Sequence, residues 1–376
     1  MRRDFRFIAT GGDPAGHDIC WENRLPPRLT IDVTTLRQSA GRSVWLSVSA
    51  SDVGRCSGFP YCATSLQLNE LASNCRLRGD SFIDRQERHP YSLLKARRIP
   101  NLTTFPEAAL MTVQQRNNIR IAGRGPAMIF AHGFGCDQSM WRYLAPSLGE
   151  RYMTILFDLV GSGKSELGAY DREKYASLHG HAADVLEIVD EYCAGPVIFV
   201  GHSVSTMIGM LAAIERPDRF AANLMIGPSP SFINQGDYVG GFTHQDIEEM
   251  LETLEGNYLG WSSTMAPAIM GAPDQPELSE ELTNSFCRTD PEIAAQFARV
   301  TFLSDHRALL PRATTPTLIL QCSDDIIAPR AVGEYMHGVM PRSTLHVIDN
   351  VGHCPHLSSP SASAAAMCAF LEPLSL

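Results

Sequence analysis

The chain has 376 residues, of which 44% are hydrophobic and 19% charged. These are proportions of a folded globular protein, and they exclude collagen-like, coiled-coil and wholly disordered classes. The net charge of −10 is uneven, +4 over residues 1–110 and −14 over residues 111–376, so the main body lacks the basic patch that nucleic-acid binding needs.

Residues 1–110 show neither sustained helical nor alternating periodicity, only short apolar pieces such as Val44 to Val48. They read as a disordered or non-native N-terminal extension, and their acidic residues count against a transit peptide. Met111 is followed by Thr-Val-Gln-Gln-Arg-Asn-Asn-Ile-Arg-Ile, which reads as a first strand behind a natural N-terminus.

From there short apolar runs recur at Ala127–Ala131, Thr154–Phe157, Val197–Val200, Ala222–Ile226, Thr317–Leu320 and Thr344–Ile348, bounded by Gly, Pro or Asp. They read as buried strands. Helical patterns lie between most of them, as where Leu178, Ala182, Val185, Val189 and Tyr192 share one face. Alternating strands and helices predict an α/β fold, a mostly parallel sheet flanked by helices with ligands at the carboxyl ends of the strands. The stretch between Ile226 and Thr317 is too long for one crossover. Within it Ile247, Met250, Leu251, Leu254, Tyr258 and Trp261 form one apolar face opposite Glu248, Glu249, Glu252 and Glu255, and further helices are expected at about Ser279–Phe286 and Pro291–Phe302. This predicts an inserted helical lid at about residues 232–310. The most apolar run, Val197 to Ile214, is interrupted by Gly201, His202, Ser203, Ser205 and Thr206, so no membrane span is expected.

Ser203 stands directly after a predicted strand and before a predicted helix, in Gly-His-Ser-Val-Ser. That is the context of a nucleophile elbow, whose tight turn demands small neighbours; Gly201 fits, and Ser205 replaces the more usual Gly. A serine hydroxyl needs a general base oriented by a carboxylate, and in this architecture the chain order is Ser, acid, His. Asp324 or Asp325 follows one later strand, and His353 or His356 follows the last. The developing oxyanion needs two donors, read as the backbone N–H groups of Val204 and of Phe134, with His132 shaping the Phe134 loop. Val160-Gly-Ser-Gly-Lys-Ser looks like the end of a P-loop, but Asp158 stands where its first Gly belongs. The ten Cys form no C-x-x-C pair, and no His or Cys spacing calls for a metal or other cofactor. Reduced thiols in the cytoplasm are the expectation.

At these residues the sequence resembles the α/β-hydrolase superfamily, and closely its RsbQ-like branch, which also contains plant strigolactone and karrikin receptor hydrolases. The motifs that carry the resemblance are His-Gly-Phe-Gly-Cys-Asp-Gln-Ser-Met-Trp at 132–141, Phe-Asp-Leu-Val-Gly-Ser-Gly-Lys-Ser at 157–165 and Gly-His-Ser-Val-Ser at 201–205. Tyr-Val-Gly-Gly-Phe at 238–242, Asn-Tyr-Leu-Gly-Trp at 257–261, Leu-Gln-Cys-Ser-Asp-Asp-Ile-Ile-Ala-Pro at 320–329 and Gly-His-Cys-Pro-His at 352–356 complete them. With the spacing to Pro329 and the turn at Gly352, the resemblance selects Asp325 as the acid and His353 as the base. It further implies an α/β-hydrolase fold over residues 111–376, a four-helix lid, and a pocket lined by Phe134, Phe242, Trp261 and Phe302 for a small apolar ester or lactone. Two functions follow from it: a serine hydrolase with repeated turnover, or a ligand-sensing regulator, in a stress sigma-factor pathway or butenolide-receptor-like, that recruits a signalling protein partner.

Overall fold

The computed structural model describes residues 111–376; the extension expected over 1–110 lies outside them. Thr112 caps a short helix α1 (Val113–Asn117) in a reciprocal capping box with Gln115, and Asn118 ends it in the left-handed conformation at φ 47°. The strand expected directly after Met111 is therefore a helix, followed by only a short strand β1 (Arg120–Ala122). A Thr-x-x-Gln cap outweighs the β-propensity of a single Val here.

The remaining strands are β2 (Ala127–Ala131), β3 (Met153–Phe157), β4 (Val197–His202), β5 (Phe220–Ile226), β6 (Thr317–Asp324) and β7 (Ser343–Val351). They form one seven-stranded sheet in the order β1-β3-β2-β4-β5-β6-β7, parallel except where β1 meets β3. The helices that flank it are α2 (Ala145–Leu148), α3 (Leu178–Tyr192) and α4 (Val204–Glu215), then four in succession, α5 (His244–Gly256), α6 (Tyr258–Met270), α7 (Pro276–Arg288) and α8 (Pro291–Phe302). Three more, α9 (Arg330–Val339), α10 (Pro355–Ser358) and α11 (Pro360–Leu371), close the chain. No helix among the described residues is long and apolar enough to cross a membrane.

The period-two rule of strands divides the core in two. Met128, Phe130, Ile198, Val200, Leu224 and Ile226 point to one face, where they pack with Trp141, the inserted helices and α11. Ile129, Ala131, Ile155, Phe157, Phe199 and Met225 point to the other, against α3, α4 and α9. Because both faces are covered, β2 and β4 are buried along their whole length, which is why they read as unbroken apolar runs.

Helices α5–α8 are the insertion between β5 and β6. The apolar face expected to run through 247–261 is broken at Asn257, which ends α5 and whose side chain accepts from the Gly260 N–H to cap α6. Asn is a strong helix starter, so one amphipathic stretch becomes two helices that can turn against each other.

Asp158, 1% exposed, is the hub of the loops beside the sheet. Its carboxylate accepts from the Gln138 N–H at 2.8 Å, the Lys164 N–H at 2.9 Å and the Asn118 amide at 2.7 Å. The amide of Lys164, which a P-loop would present to a phosphate, is thus bound to a carboxylate of the chain itself. Asp158→Ala strips a buried backbone donor, the Gln138 N–H, and a part-buried one, the Lys164 N–H, of their acceptor, and urea unfolding is expected to show a loss of about 3 kcal/mol.

Candidate active site

Parallel pairing aligns the strand ends, so the loops after β2, β4, β6 and β7 meet along one edge of the sheet. At the end of β4 the chain must turn directly into α4. Ser203 makes that turn with φ 54° and ψ −124°, held by its N–H donating to the Ile226 carbonyl at 2.9 Å. A β-carbon at Gly201 would lie 2.7 Å from the Ser205 backbone carbonyl, so only glycine fits there. Ser203 is 7% exposed, and its hydroxyl makes no hydrogen bond among the described residues.

Asp325 follows β6 in a turn that it closes itself, Oδ1 accepting from the N–H groups of Ile327 at 2.8 Å and Ala328 at 3.0 Å. Its Oδ2 lies 2.7 Å from His353 Nδ1. An ionised carboxylate only accepts, so the imidazole proton is on Nδ1 and Nε2 is a bare acceptor. Nε2 is buried without a partner. Asp324, the alternative acid, ends β6 with its residue exposed. His356, the alternative base, is buried in α10 with its ring 4.8 Å from Trp141 and 4.4 Å from His202. The structure thus brings Asp325 to His353.

The His353 loop turns at Gly352, whose φ is 98° and where a β-carbon would lie 2.0 Å from the Met270 carbonyl. The His353 N–H donates to the Ile269 carbonyl, at the end of α6, at 2.7 Å. From the other side His202 Nε2–H donates to the His353 carbonyl at 3.0 Å. These two anchors were not legible in the sequence, because each joins residues far apart in the chain and neither residue type announces the contact.

On the β2 side His132 Nδ1–H donates to the Gly133 carbonyl at 2.9 Å, while Nε2 accepts from the Leu159 N–H at 3.0 Å. Both ring nitrogens are engaged, so His132 shapes the loop. Neither Phe134 N–H nor Val204 N–H has a protein partner among the described residues, which leaves both free to point at a developing negative charge.

The Phe134 ring is packed among Trp261, Phe286, Phe297 and Phe302 at centroid distances of 5.7–6.1 Å. Phe232 adds to this cluster through Phe302 at 5.0 Å. Three of the four expected pocket residues therefore meet. Phe242 is half-buried against the same core but joins none of these ring contacts. Phe232, in the loop after β5, and Phe286 and Phe297, on α7 and α8, went unpredicted, since a phenylalanine looks alike in the string whether it faces a core or a ligand. Helix α7 is further clamped to the Phe134 loop: Ser285 donates to the Gly135 carbonyl at 2.9 Å, Arg288 pairs with Asp137 at 3.2 Å, and Arg142 makes a bidentate pair with Glu281.

A serine on a strand-to-helix turn, an imidazole oriented by a buried carboxylate, and two unengaged amides are the parts of covalent acyl transfer. The alpha/beta hydrolase family model matches residues 128–366. The chain belongs to the α/β-hydrolase family. Within that family it is 38% identical over 250 residues to the karrikin insensitive 2 receptor CA of Petunia hybrida, covering 66% of this chain and 93% of the relative. It is 36% identical over 249 residues to the strigolactone esterase D14 of Arabidopsis thaliana, again covering 66% and 93%. Among solved structures, a hydrolase from Oleispira antarctica superposes with a TM-score of 0.68 at 44% identity, covering 69% of this chain and 96% of that one. No cluster of three metal-ligating side chains occurs among the described residues of this hydrolase.

Four buried imidazoles stay neutral around the site. Burial, with His132 and Lys174 adding to it at His181, and His353 and Arg142 at His356, pushes both down to about 3. Burial, with His356 and His353 adding to it, holds His202 well below the ordinary histidine value. Burial also lowers His132, against the opposing pull of Asp158. Unfolding restores the ordinary value of about 6.5, so below that pH the unfolded chain binds more protons and stability falls as pH drops toward the folded values. The slope approaches about 1.4 kcal/mol per pH unit for each imidazole. Urea melts between about pH 7 and pH 5 should show this decline, and His356→Leu, which removes one of the four, should make it shallower.

Proposed function

We propose that this protein is a serine hydrolase of a small apolar ester or lactone, with Ser203 as nucleophile, His353 as base and Asp325 as its orienting acid. The observation that carries the reading is His353 Nδ1 held on the buried Asp325 carboxylate at 2.7 Å, with Nε2 bare at the same sheet edge as the Ser203 turn. Ser203 Oγ attacks the carbonyl carbon as its proton passes to Nε2, and Asp325 stabilises the imidazolium. The carbonyl electrons move to oxygen, where the Val204 and Phe134 N–H groups receive them. Collapse expels the alkoxide, which takes the proton back from Nε2, and water repeats the sequence to free the acid.

The aromatic cluster on Phe134 supports an apolar substrate, and Phe134, Phe242, Trp261 and Phe302 are proposed to border it. The insertion at about 232–310 acts as a lid over that cluster, and the RsbQ-like placement rests on the residue motifs of the elbow and acid loops. Among the described residues six thiols are free, four of them buried, which supports a reducing, cytoplasmic setting.

A second reading is favoured by the direct bonds from α6 to His353 and from α7 to the Phe134 loop. A lid tied to both reacting loops can report the state of the bound ligand to a protein partner, as a ligand-sensing regulator requires. The receptor names of the plant relatives support that alternative.

The two divide on turnover. With a small chromogenic ester in excess, the full chain is expected to cleave it continuously and Ser203→Ala to lose at least a thousandfold in kcat with its fold intact. A burst of about one equivalent followed by a stall would favour the sensor. Unchanged cleavage by Ser203→Ala would overturn the nucleophile assignment.

A further inference from the structure

Ser205 occupies a place in the elbow where a smaller glycine is more usual, and neither the turn nor the nucleophile chemistry requires its hydroxyl. The side chain is fully buried. Its Oγ–H donates across 73 residues to the backbone carbonyl of His132, in a short hydrogen bond. That carbonyl belongs to the first residue of the loop after β2, two positions before Phe134. The strands beneath are in register there, Ala131 opposite Gly201, so the bond begins where the backbone ladder of β2 and β4 stops.

The loop has little room to shift elsewhere. A β-carbon at Gly133 would lie 2.5 Å from His202 Nδ1 and 3.3 Å from the Ser203 β-carbon, so Gly133 runs flush against the elbow. The ring of His132 holds the loop toward Leu159, and Ser285 holds Gly135 from above. Only Ser205 ties the loop to the nucleophile helix by a side-chain hydrogen bond among the described residues. A glycine there would leave the His132 carbonyl buried without that donor.

We infer that Ser205 is a positioning residue for acyl transfer, fixing the distance between the two amides that receive the oxyanion. One, Val204 N–H, is next to Ser205 in α4; the other, Phe134 N–H, is on the loop that the Ser205 hydroxyl holds. The inference rests on the hydrolase reading of the same site. Ser205 touches no reacting atom, so its effect falls on the tetrahedral state, in which the oxygen is charged, more than on the bound ester.

The test compares the full-length wild type with Ser205→Ala, which keeps the β-carbon and removes the donor. Substrate is p-nitrophenyl acetate, and kcat is referred to Ser203 sites titrated with a fluorophosphonate, so a partly unfolded preparation does not imitate the effect. The probe of the charged state is trifluoroacetophenone. Ser203 Oγ adds to its carbonyl carbon, the hydroxyl proton passes to His353, and the carbonyl oxygen becomes the hemiketal oxyanion. The expected result is a fall of about tenfold in kcat and a similar rise in the inhibition constant of the ketone, with KM changed less than about twofold. Ser205→Gly should behave alike, and it carries the test if the alanine variant fails to fold. Unchanged kcat overturns the inference, as does a loss of kcat without weaker ketone binding. If the wild type shows no cleavage that depends on Ser203, the hydrolase reading itself fails and takes this inference with it.

Discussion

Ser203 is held at φ 54°, a region where its β-carbon crowds the backbone at a cost of about 1–3 kcal/mol. The surrounding fold enforces this geometry. Strand β4 is paired on both sides, so its end cannot fray. Helix α4 begins at once and is buried along nearly all its length. The Ser203 amide is fixed to the end of β5. A turn clamped at both ends projects one hydroxyl over the sheet edge and aims the helix N-terminus at the same point, and the loops that carry Asp325, His353 and Phe134 are organised around it.

Much of this was legible in the sequence because it is local. Buried parallel strands announce themselves as apolar runs, and Ser203 needed only to be counted past a strand end, whereas the preference for Asp325 over Asp324 and for His353 over His356 came with the family motifs. Departures came where one short interaction outweighed a pattern. The Thr112 capping box turned an expected strand into α1, and Asn257 divided one amphipathic face between two helices. Phe242 and Phe297 show a different limit. The family motifs placed Phe242 at the pocket and passed over Phe297, yet of the two only the Phe297 ring packs on Phe134, because the string does not say which face of α8 turns inward. The bonds from Ile269 and His202 to His353 were beyond reach altogether, for a backbone carbonyl carries no residue signature.

The insertion is attached to the hydrolase core along two physically different seams. Facing inward, aromatic rings from α6, α7 and α8 close on Phe134. On the outside, charged pairs join the helices to the loops: Arg142 with Glu281, Arg288 with Asp137 and Arg172 with Glu292. All three pairs use Arg, in a chain where Lys occurs only three times, and the planar fork suits paired contacts to carboxylates better than an ammonium does.

Those seams answer to different surroundings. The outer pairs are partly or largely exposed, with side-chain exposures of 62% and 80% for Arg172 and Glu292, so added salt, which shortens the Debye length from about 8 Å at physiological ionic strength to about 3 Å at 1 M, weakens them. The inner rings are indifferent to that screening, but their attraction weakens on cooling. Brine therefore loosens the rim of the insertion while leaving its underside closed, and cold does the reverse. Helix α7, which turns Phe286 inward and Glu281 and Arg288 outward and is bonded to the Phe134 loop, stands at the junction of the two effects.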